Sequence, residues 1–451
     1  MKLRTNDTIA AIATPLGTGA ISIVRTSGPD AITLTDKVFR GNFLLSQTPG
    51  YTIRHGHVVD ARNEKIDEVL AAVFRAPHSY TGEDGVEISC HGGRFITKKV
   101  LSSIIEAGAR QADPGEFTKR AFLNGMMDLS QAEAVADLIS AGSERALRNS
   151  NAQLGGSLGS IVRLIKDELV RICSLFELTL DFSDDDVSIA TPESIESALL
   201  SCVQKTDSAI ATYRIGKVFR DGASVAIVGR PNVGKSSLFN GLLMNNRSIV
   251  SRVPGTTRDF LEEAVDIDGT LIRLFDTAGL RKSSDEVEVE GIARTRSIVE
   301  SSDVVVLVVD STQEDTQEDD LRELPVNRVL IARNKIDLTG LQKSPSQDEL
   351  MVSAKTGAGL DELRQAILKA VHRRPTDEGS EYFVSSSRHL EALVRCRDMI
   401  VQSIASLGSG LTAEFVTMDL RLAIDSLSEV TGEITTEDIL NEVFSRFCIG
   451  K

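Results

Sequence analysis

The sequence predicts a multidomain chain: an α+β domain over residues 1–118, an all-α domain in two pieces over 119–217 and 376–451, and an α/β domain over 218–375 inserted between those pieces. Three observations lead there. Short alternating apolar runs between glycine-rich turns fill the first segment, helix-spaced apolar residues fill both flanks, and strand-length and helix-length runs alternate between them. A length of 451 residues is also too great for one ordinary core.

In the first segment, runs 20–24, 69–74 and 86–89 read as strands and 95–107 as a helix. Residues 131–181 and 193–214 carry Leu, Ile, Val and Ala at helical spacing with few prolines, and 388–406, 411–430 and 436–447 repeat that texture. Between them, the β-branched run 223–229 ends in a glycine-rich turn before a helix over 236–243. Further strands are expected at 271–275, 304–309, 329–332 and 350–352, with helices at 289–299 and 360–371 between them. This alternation predicts a mostly parallel sheet covered on both faces. Close-lying ends let such a domain be inserted into another, with 372–380 as the return linker.

Composition narrows the function. With 41% hydrophobic and 25% charged residues, neither wholesale disorder nor a membrane bundle fits, and the longest strongly apolar run, 304–309, falls far short of a membrane span. Asp7 interrupts the apolar start, so no secretory signal is expected and a cytoplasmic location is. Five scattered cysteines, 90, 173, 202, 396 and 448, form no Cys-x-x-Cys pair and read as reduced thiols. A net charge of −15 gives no global attraction to nucleic acid, so an RNA partner needs a local basic face.

Gly229-Arg230-Pro231-Asn232-Val233-Gly234-Lys235-Ser236 matches the phosphate-loop pattern in the required strand-loop-helix context. Its glycines let backbone N–H groups wrap phosphates, Lys235 reaches the β and γ oxygens, and Ser236 offers a hydroxyl to Mg²⁺. Ser237 follows it in the expected GTP-binding set. Asp276-Thr277-Ala278-Gly279 follows an apolar strand, where a carboxylate can hold the magnesium shell and a glycine N–H can meet the γ-phosphate. Asn334-Lys335-Ile336-Asp337 resembles the signature of GTP-binding proteins, since a carboxylate at Asp337 accepts both guanine N–H donors. Ser353-Ala354-Lys355 resembles the loop that touches the guanine oxygen, so GTP is the expected ligand. Thr257, lying between the phosphate loop and Asp276, is the expected switch ligand of Mg²⁺. Leu280 stands where many Ras-type GTPases carry a water-orienting glutamine, and leucine cannot orient water. The acidic run 285–288 offers replacements, and also reads as a solvated surface loop.

Together these motifs and their flanks resemble the bacterial MnmE (TrmE) family of tRNA modification GTPases along essentially the whole chain. The resemblance rests on the Asp7-Thr-Ile-Ala start, Gly82-Glu-Asp-Gly-Val-Glu87 with Cys90-His-Gly-Gly93, the block from Pro114 to Asn124, Gln131-Ala-Glu-Ala, and the terminal Phe447-Cys-Ile-Gly-Lys451. It implies a Ras-like P-loop GTPase domain activated by K⁺, which Asn232 ligates together with Ser251, Val253 and Thr256. The loop Ser251, Arg252, Val253, Pro254, Gly255 and Thr256 joins the GTP-binding set with it, and Glu288 is picked out of the acidic run to orient the attacking water. A fixed cation there does the work of an arginine finger.

The same resemblance implies a tetrahydrofolate-binding N-terminal domain that also mediates homodimerisation, with Arg25, Glu87 and Lys451 at the folate site. Met126 departs from the family pattern, which has a lysine there. Cys448 invites a nucleophilic role or packs as a small apolar residue, and His91 before two glycines reads first as structural. The implied function is GTP-driven addition of a (carboxymethyl)aminomethyl group to carbon 5 of wobble uridine in certain tRNAs. An FAD-containing MnmG-like partner joins it in a hetero-oligomer, and the one-carbon unit comes from tetrahydrofolate. The rival is a regulatory GTPase of ribosome assembly that switches RNA affinity. The N-terminal domain and terminal motif oppose that rival, and the scarcity of Trp and Tyr leaves few stacking platforms for RNA.

Overall fold

The computed structural model describes residues 7–181, 191–243, 261–276, 297–313, 329–339, 349–372, 383–409, 412–445 and 447–451. The chain forms two compact units, Met1–Ala136 with Ser428–Lys451, and Asp137–Leu427.

The first unit is built on a seven-stranded sheet of β1 (Ile9–Ile12), β2 (Ile21–Ser27), β3 (Phe39–Gly41), β4 (Thr52–Val59), β5 (Lys65–Phe74), β6 (Gly85–His91) and β7 (Arg110–Gln111), in spatial order β3-β4-β5-β6-β2-β1-β7. All neighbours are antiparallel except β1 and β7. Alternation along β5 buries Val69, Ala71 and Val73, which share one core cluster with Val86 and Ile88 of β6 and Val24 of β2. The helix Arg94–Glu106 lays Val100 and Ile104 over that face. β1, β3, β4, β7 and the helix Ala31–Val38 are additions to the predicted elements, and the helix expected at 95–107 occupies Arg94–Glu106.

Polar residues are organised as tightly. Arg120, almost fully buried, pairs with Asp7, Glu83 and Glu116, while Arg110 pairs with Asp7 and Glu116. Burial raises the Asp7 carboxyl, but the two guanidinium partners outweigh it and hold it below the usual carboxylate range. The C-terminal segment closes on the same unit: Pro114 and Ile449 form a β-bridge, and Gly115 N–H donates to Cys448 O at 3.4 Å. Gly450 has φ +99°, and a Cβ there would stand 2.2 Å from Ile12 O, so a side chain is excluded.

The second unit carries a six-stranded sheet of β8 (Ala223–Val228), β9 (Leu261–Ile267), β10 (Thr270–Asp276), β11 (Val304–Asp310), β12 (Val329–Asn334) and β13 (Glu349–Met351), in order β13-β12-β11-β8-β10-β9. Only the β9–β10 pair is antiparallel. Val225, Ile227 and Leu274 point to one face, beneath the helices Lys235–Leu243 and Leu360–Val371, while Ala226, Val228, Val305 and Leu307 fill the other. Each fully buried aliphatic side chain contributes about 1.5–3 kcal/mol over leaving it in water. Fold class therefore agrees with the sequence reading.

The expected helical stretch 131–181 is divided into Leu129–Ser140, Glu144–Leu154 and Ser157–Asp181. Ser143 starts the second by accepting from Ala146 N at 3.2 Å, and Gly156, at φ +84°, separates it from the third. The stretch 193–214 becomes Pro192–Ala211, capped by Thr191, and a separate helix Tyr213–Asp221. The helices Ser387–Gly408 and Ala413–Thr431 follow later in the chain. In chain order, the six-stranded sheet lies between these two groups of helices.

Candidate GTP-binding site

The phosphate loop leaves the end of β8 and enters the helix Lys235–Leu243. Asn232 and Gly234 hold left-handed backbone at φ +66° and +97°, which turns successive amides to one side, as a phosphate cradle requires. Gly234 is obligatory, since a Cβ would lie 2.2 Å from Asn334 Nδ2. Lys235 is buried and donates from Nζ to Arg230 O at 2.8 Å, so its ammonium lies along the loop. Ser236 and Ser237 are exposed in the helix's first turn, and Asp276 is buried at the end of β10.

The guanine signature sits at the same edge of the sheet. Asn334 ends β12, almost fully buried, and its carboxamide joins two loops: Nδ2 donates to Val233 O and Oδ1 accepts from Ala354 N, both at 2.9 Å. Its part is thus to fix the phosphate loop against the Ser353 loop. Ser353, fully buried, donates from Oγ to Asp337 Oδ1 at 2.6 Å, leaving the exposed Asp337 carboxylate oriented. Lys335, at φ +69°, donates from Nζ to Asp310 Oδ2 at 2.6 Å; Lys355 is exposed beyond Ala354. Ser251, Arg252, Val253, Pro254, Gly255, Thr256, Thr257, Thr277, Ala278, Gly279 and Glu288 lie outside the described residues, as does 373–380 of the return linker.

Two residues outside the motifs shape this site. Asp310 ends β11 and collects three hydrogen bonds, from Lys335 Nζ, Thr312 Oγ1 at 2.7 Å and Thr312 N at 3.0 Å. Burial raises its carboxyl, yet Lys335 and Thr312 more than offset that and hold it below the ordinary range. Arg364, on the helix Leu360–Val371, donates from Nη2 to Gly241 O at 3.0 Å and caps the carbonyl end of the phosphate-loop helix. An aspartate closing a Val-rich strand before Ser-Thr was a legible signal for the first; an arginine on an amphipathic helix carried none.

A second polar site lies in the first unit. Arg25 on β2 stands opposite Glu87 on β6, and its Nε donates to Glu87 Oε1 at 2.7 Å. The guanidinium lies 5.3 Å from the Tyr80 ring centre and 5.7 Å from that of Phe117, and Lys451 Nζ is 5.8 Å from the Tyr80 centre. Burial first, and the Arg25 charge second, hold the Lys451 ammonium below the usual lysine range, with Glu87 acting the other way. Arg25 Nη1 is buried with no hydrogen-bond partner among the described residues. Cys448 is exposed, and Met126 packs near Gly82, with Sδ 3.1 Å from where a Cβ would stand. His91 donates its backbone N–H to Asp67, and its Nδ1 contacts the same carboxylate at 2.7 Å.

A family model described as the MnmE helical domain matches residues 129–448, and one described as the GTP-binding protein TrmE N-terminus matches 8–126. A protein named tRNA modification GTPase MnmE from Syntrophus aciditrophicus (strain SB) is 42% identical over 455 residues, covering 99% of each chain. The protein of that name from Geobacter metallireducens is 42% identical over 453 residues, again with 99% of both chains covered. The chain belongs to the MnmE family. Among solved structures, the G domain of the T. maritima FeoB iron transporter aligns at 33% identity over 33% of this chain and 98% of its own, with a TM-score of 0.26.

Ser236 Oγ and the Asp276 carboxylate are hard oxygen donors of the kind Mg²⁺ takes. Asn232 carries an exposed amide oxygen suited to K⁺, with the rest of that set outside the described residues. The orphaned Arg25 Nη1 needs a carbonyl or carboxylate oxygen, and aromatic faces stand beside it, which fits a pterin-glutamate ligand such as tetrahydrofolate.

Proposed function

We propose that this MnmE-family chain hydrolyses GTP to drive modification at carbon 5 of wobble uridine in certain tRNAs, adding a (carboxymethyl)aminomethyl group together with an FAD-containing MnmG-like partner. The observation that carries the reading is the Asn334 carboxamide, which locks a phosphate loop and a guanine-facing loop into one site. Lys235 supplies charge to the phosphates, and Asn334 and Ser353 hold the loops that Asp337 completes by accepting from guanine. Thr257 and Ser236 take Mg²⁺; Asn232 with Ser251, Val253 and Thr256 takes K⁺; Glu288 orients water. The two cations supply positive charge to the transferred phosphoryl group.

Arg25, Glu87 and Lys451 form the tetrahydrofolate site, and the bound cofactor supplies a one-carbon unit. Arg25 pairs with the ligand's oxygens while Tyr80 bounds the site. Residues 1–118 also dimerise the protein, 119–217 and 376–451 make the helical domain, and 218–375 the GTPase domain. A cytoplasmic location goes with work on tRNA. No helix among the described residues is long and apolar enough to cross a membrane. The test combines GTP turnover by the purified full chain with nucleoside mass spectrometry of tRNA from a deletion strain. Guanine-specific turnover and loss of the modified uridine, restored by the parent gene but not by Asp337→Asn, are expected. Unchanged wobble uridine in the deletion strain would overturn the reading.

A further inference from the structure

β9 and β10 form a hairpin paired from Thr270–Ile267 at one end to Asp276–Leu261 at the other. Asp276 is at the nucleotide end, and the other end is the turn Asp268–Gly269, with φ +47° and +78°. That turn is held from within and without. Asp266 Oδ1 accepts from Gly269 N at 2.7 Å, and Asp268 Oδ2 accepts from Gln365 Nε2 at 2.8 Å. Arg145, in the first turn of the helix Glu144–Leu154, donates its backbone N–H to Gly269 O at 3.4 Å. Its guanidinium donates to His372 Nε2 at 3.1 Å, and the same nitrogen lies 3.0 Å from the Thr270 hydroxyl.

The chemistry fixes the protonation state at this joint. A guanidinium has donors only, so His372 Nε2 presents its lone pair and the ring is neutral with its proton on Nδ1. A proton on Nε2 would set one N–H against another beside a cation. Phe219 completes the surroundings, its ring centre 5.8 Å from the Arg145 guanidinium and 6.3 Å from the His372 ring. The same helix also holds the returning chain, because Asn149 Oδ1 accepts from Phe383 N at 3.1 Å and Gln153 Nε2 donates to Phe383 O at 2.6 Å.

We propose that the β9–β10 hairpin is the mechanical link between the nucleotide state at Asp276 and the helix Glu144–Leu154, with Arg145 and His372 as the positioning residues that grip its turn. Seven residues of strand span about 20 Å and move as one piece when both edges are hydrogen-bonded, as β10 is to β8 and β9. The proposal rests on the GTPase reading, and deepens it by naming the route that hydrolysis uses.

Hydrogen exchange of the full chain with GDP and with a non-hydrolysable GTP analogue tests it, read on peptides covering 144–154. The parent should show about a fivefold difference in exchange rate between the two nucleotides. Arg145→Ala and His372→Phe should reduce it to less than twofold, with GDP affinity within about twofold of the parent. His372→Gln, whose side-chain oxygen replaces the Nε2 acceptor, should retain the difference. No nucleotide-dependent difference in the parent overturns the link. So does the opposite order, with Phe retaining and Gln losing it, which marks a packing role. Failure of the parent to bind GDP overturns the nucleotide reading first and the link with it.

Discussion

Ser353 donates its hydroxyl proton to Asp337 Oδ1 across 2.6 Å, from a position with no solvent exposure to one that faces solvent. On the proposed assignment of Asp337 to guanine, the serine acts by aiming the carboxylate. A hydrogen bond to a charged group contributes about 1.5–3 kcal/mol, so Ser353→Ala should weaken GTP binding by roughly tenfold or more. Asp337→Asn should lower GTP affinity further and favour xanthosine triphosphate, whose carbonyl accepts from the new amide. Fluorescent nucleotide titration checks both; parental GTP affinity in Asp337→Asn contradicts the assignment.

Asp310 anchors Lys335 while lying outside every nucleotide motif. Asp310→Ala should raise the KM for GTP by about tenfold with kcat within twofold. Asp310→Asn, which keeps an acceptor oxygen, should fall between the two. Because the folded-state pKa of Asp310 is depressed, its contribution is present above the usual carboxylate range and lost as pH falls below it. Steady-state kinetics on the three proteins decides this; equal KM values mean that Lys335 needs no anchor.

Hydrolysis should be faster in K⁺ than in Na⁺, by at least about tenfold on the cation-stabilisation reading, and Asn232→Ala should remove the difference. Glu288→Ala should slow turnover with little change in nucleotide affinity, as expected of a group used mainly in the transition state. Phosphate-release assays in the two salts separate these effects. Equal rates in K⁺ and Na⁺ contradict the cation site, and a parental rate in Glu288→Ala assigns the water to another group.

Burial first, and the Arg145 charge second, hold the His372 ring below the ordinary histidine pKa. A lowered histidine pKa means that the unfolded chain binds more protons, so stability is fully present above about pH 6.5 and declines as pH falls below it. Thermal melting between pH 7.5 and 5.5 should therefore show a loss in the parent that is about 2 °C smaller in His372→Phe. Identical pH slopes in the two proteins contradict a neutral ring.

Arg25→Ala should abolish an interaction that a carbonyl or carboxylate ligand makes with the orphaned Nη1. Losing a charged hydrogen bond of about 2–3 kcal/mol corresponds to roughly 30- to 150-fold weaker binding. Calorimetry with a stable reduced folate measures it. Unaltered affinity, or no binding by the parent, removes the folate assignment.

The architecture was legible wherever one physical requirement dominated. Strands buried on both faces wrote themselves as β-branched runs, so Val304–Asp310 was found to within one residue. Thr52–Val59 was not, because Ile53 and His55 on its outer side are exposed and break the alternation that marks a core strand. The nucleotide loops were legible as motifs, whereas the roles within them were not: Asn334 belongs to the guanine signature but is spent on Val233 and Ala354. Contacts between residues far apart in sequence, such as Arg364 with Gly241, leave no local pattern at all.

The tail closed by Gly450 also imposes an order on biosynthesis. The unit formed by Met1–Ala136 needs Ser428–Lys451 to complete it, and 137–427 are made in between. At roughly 5–20 residues per second of translation, that interval lasts on the order of 15–60 s. During it the nascent N-terminal sheet lacks Ile449 and Gly450 beside Pro114 and Ile12. The N-terminal sheet therefore leaves the ribosome well before the segment that completes its unit, while the nucleotide-binding sheet has all its strands in hand before residues 428–451 are made.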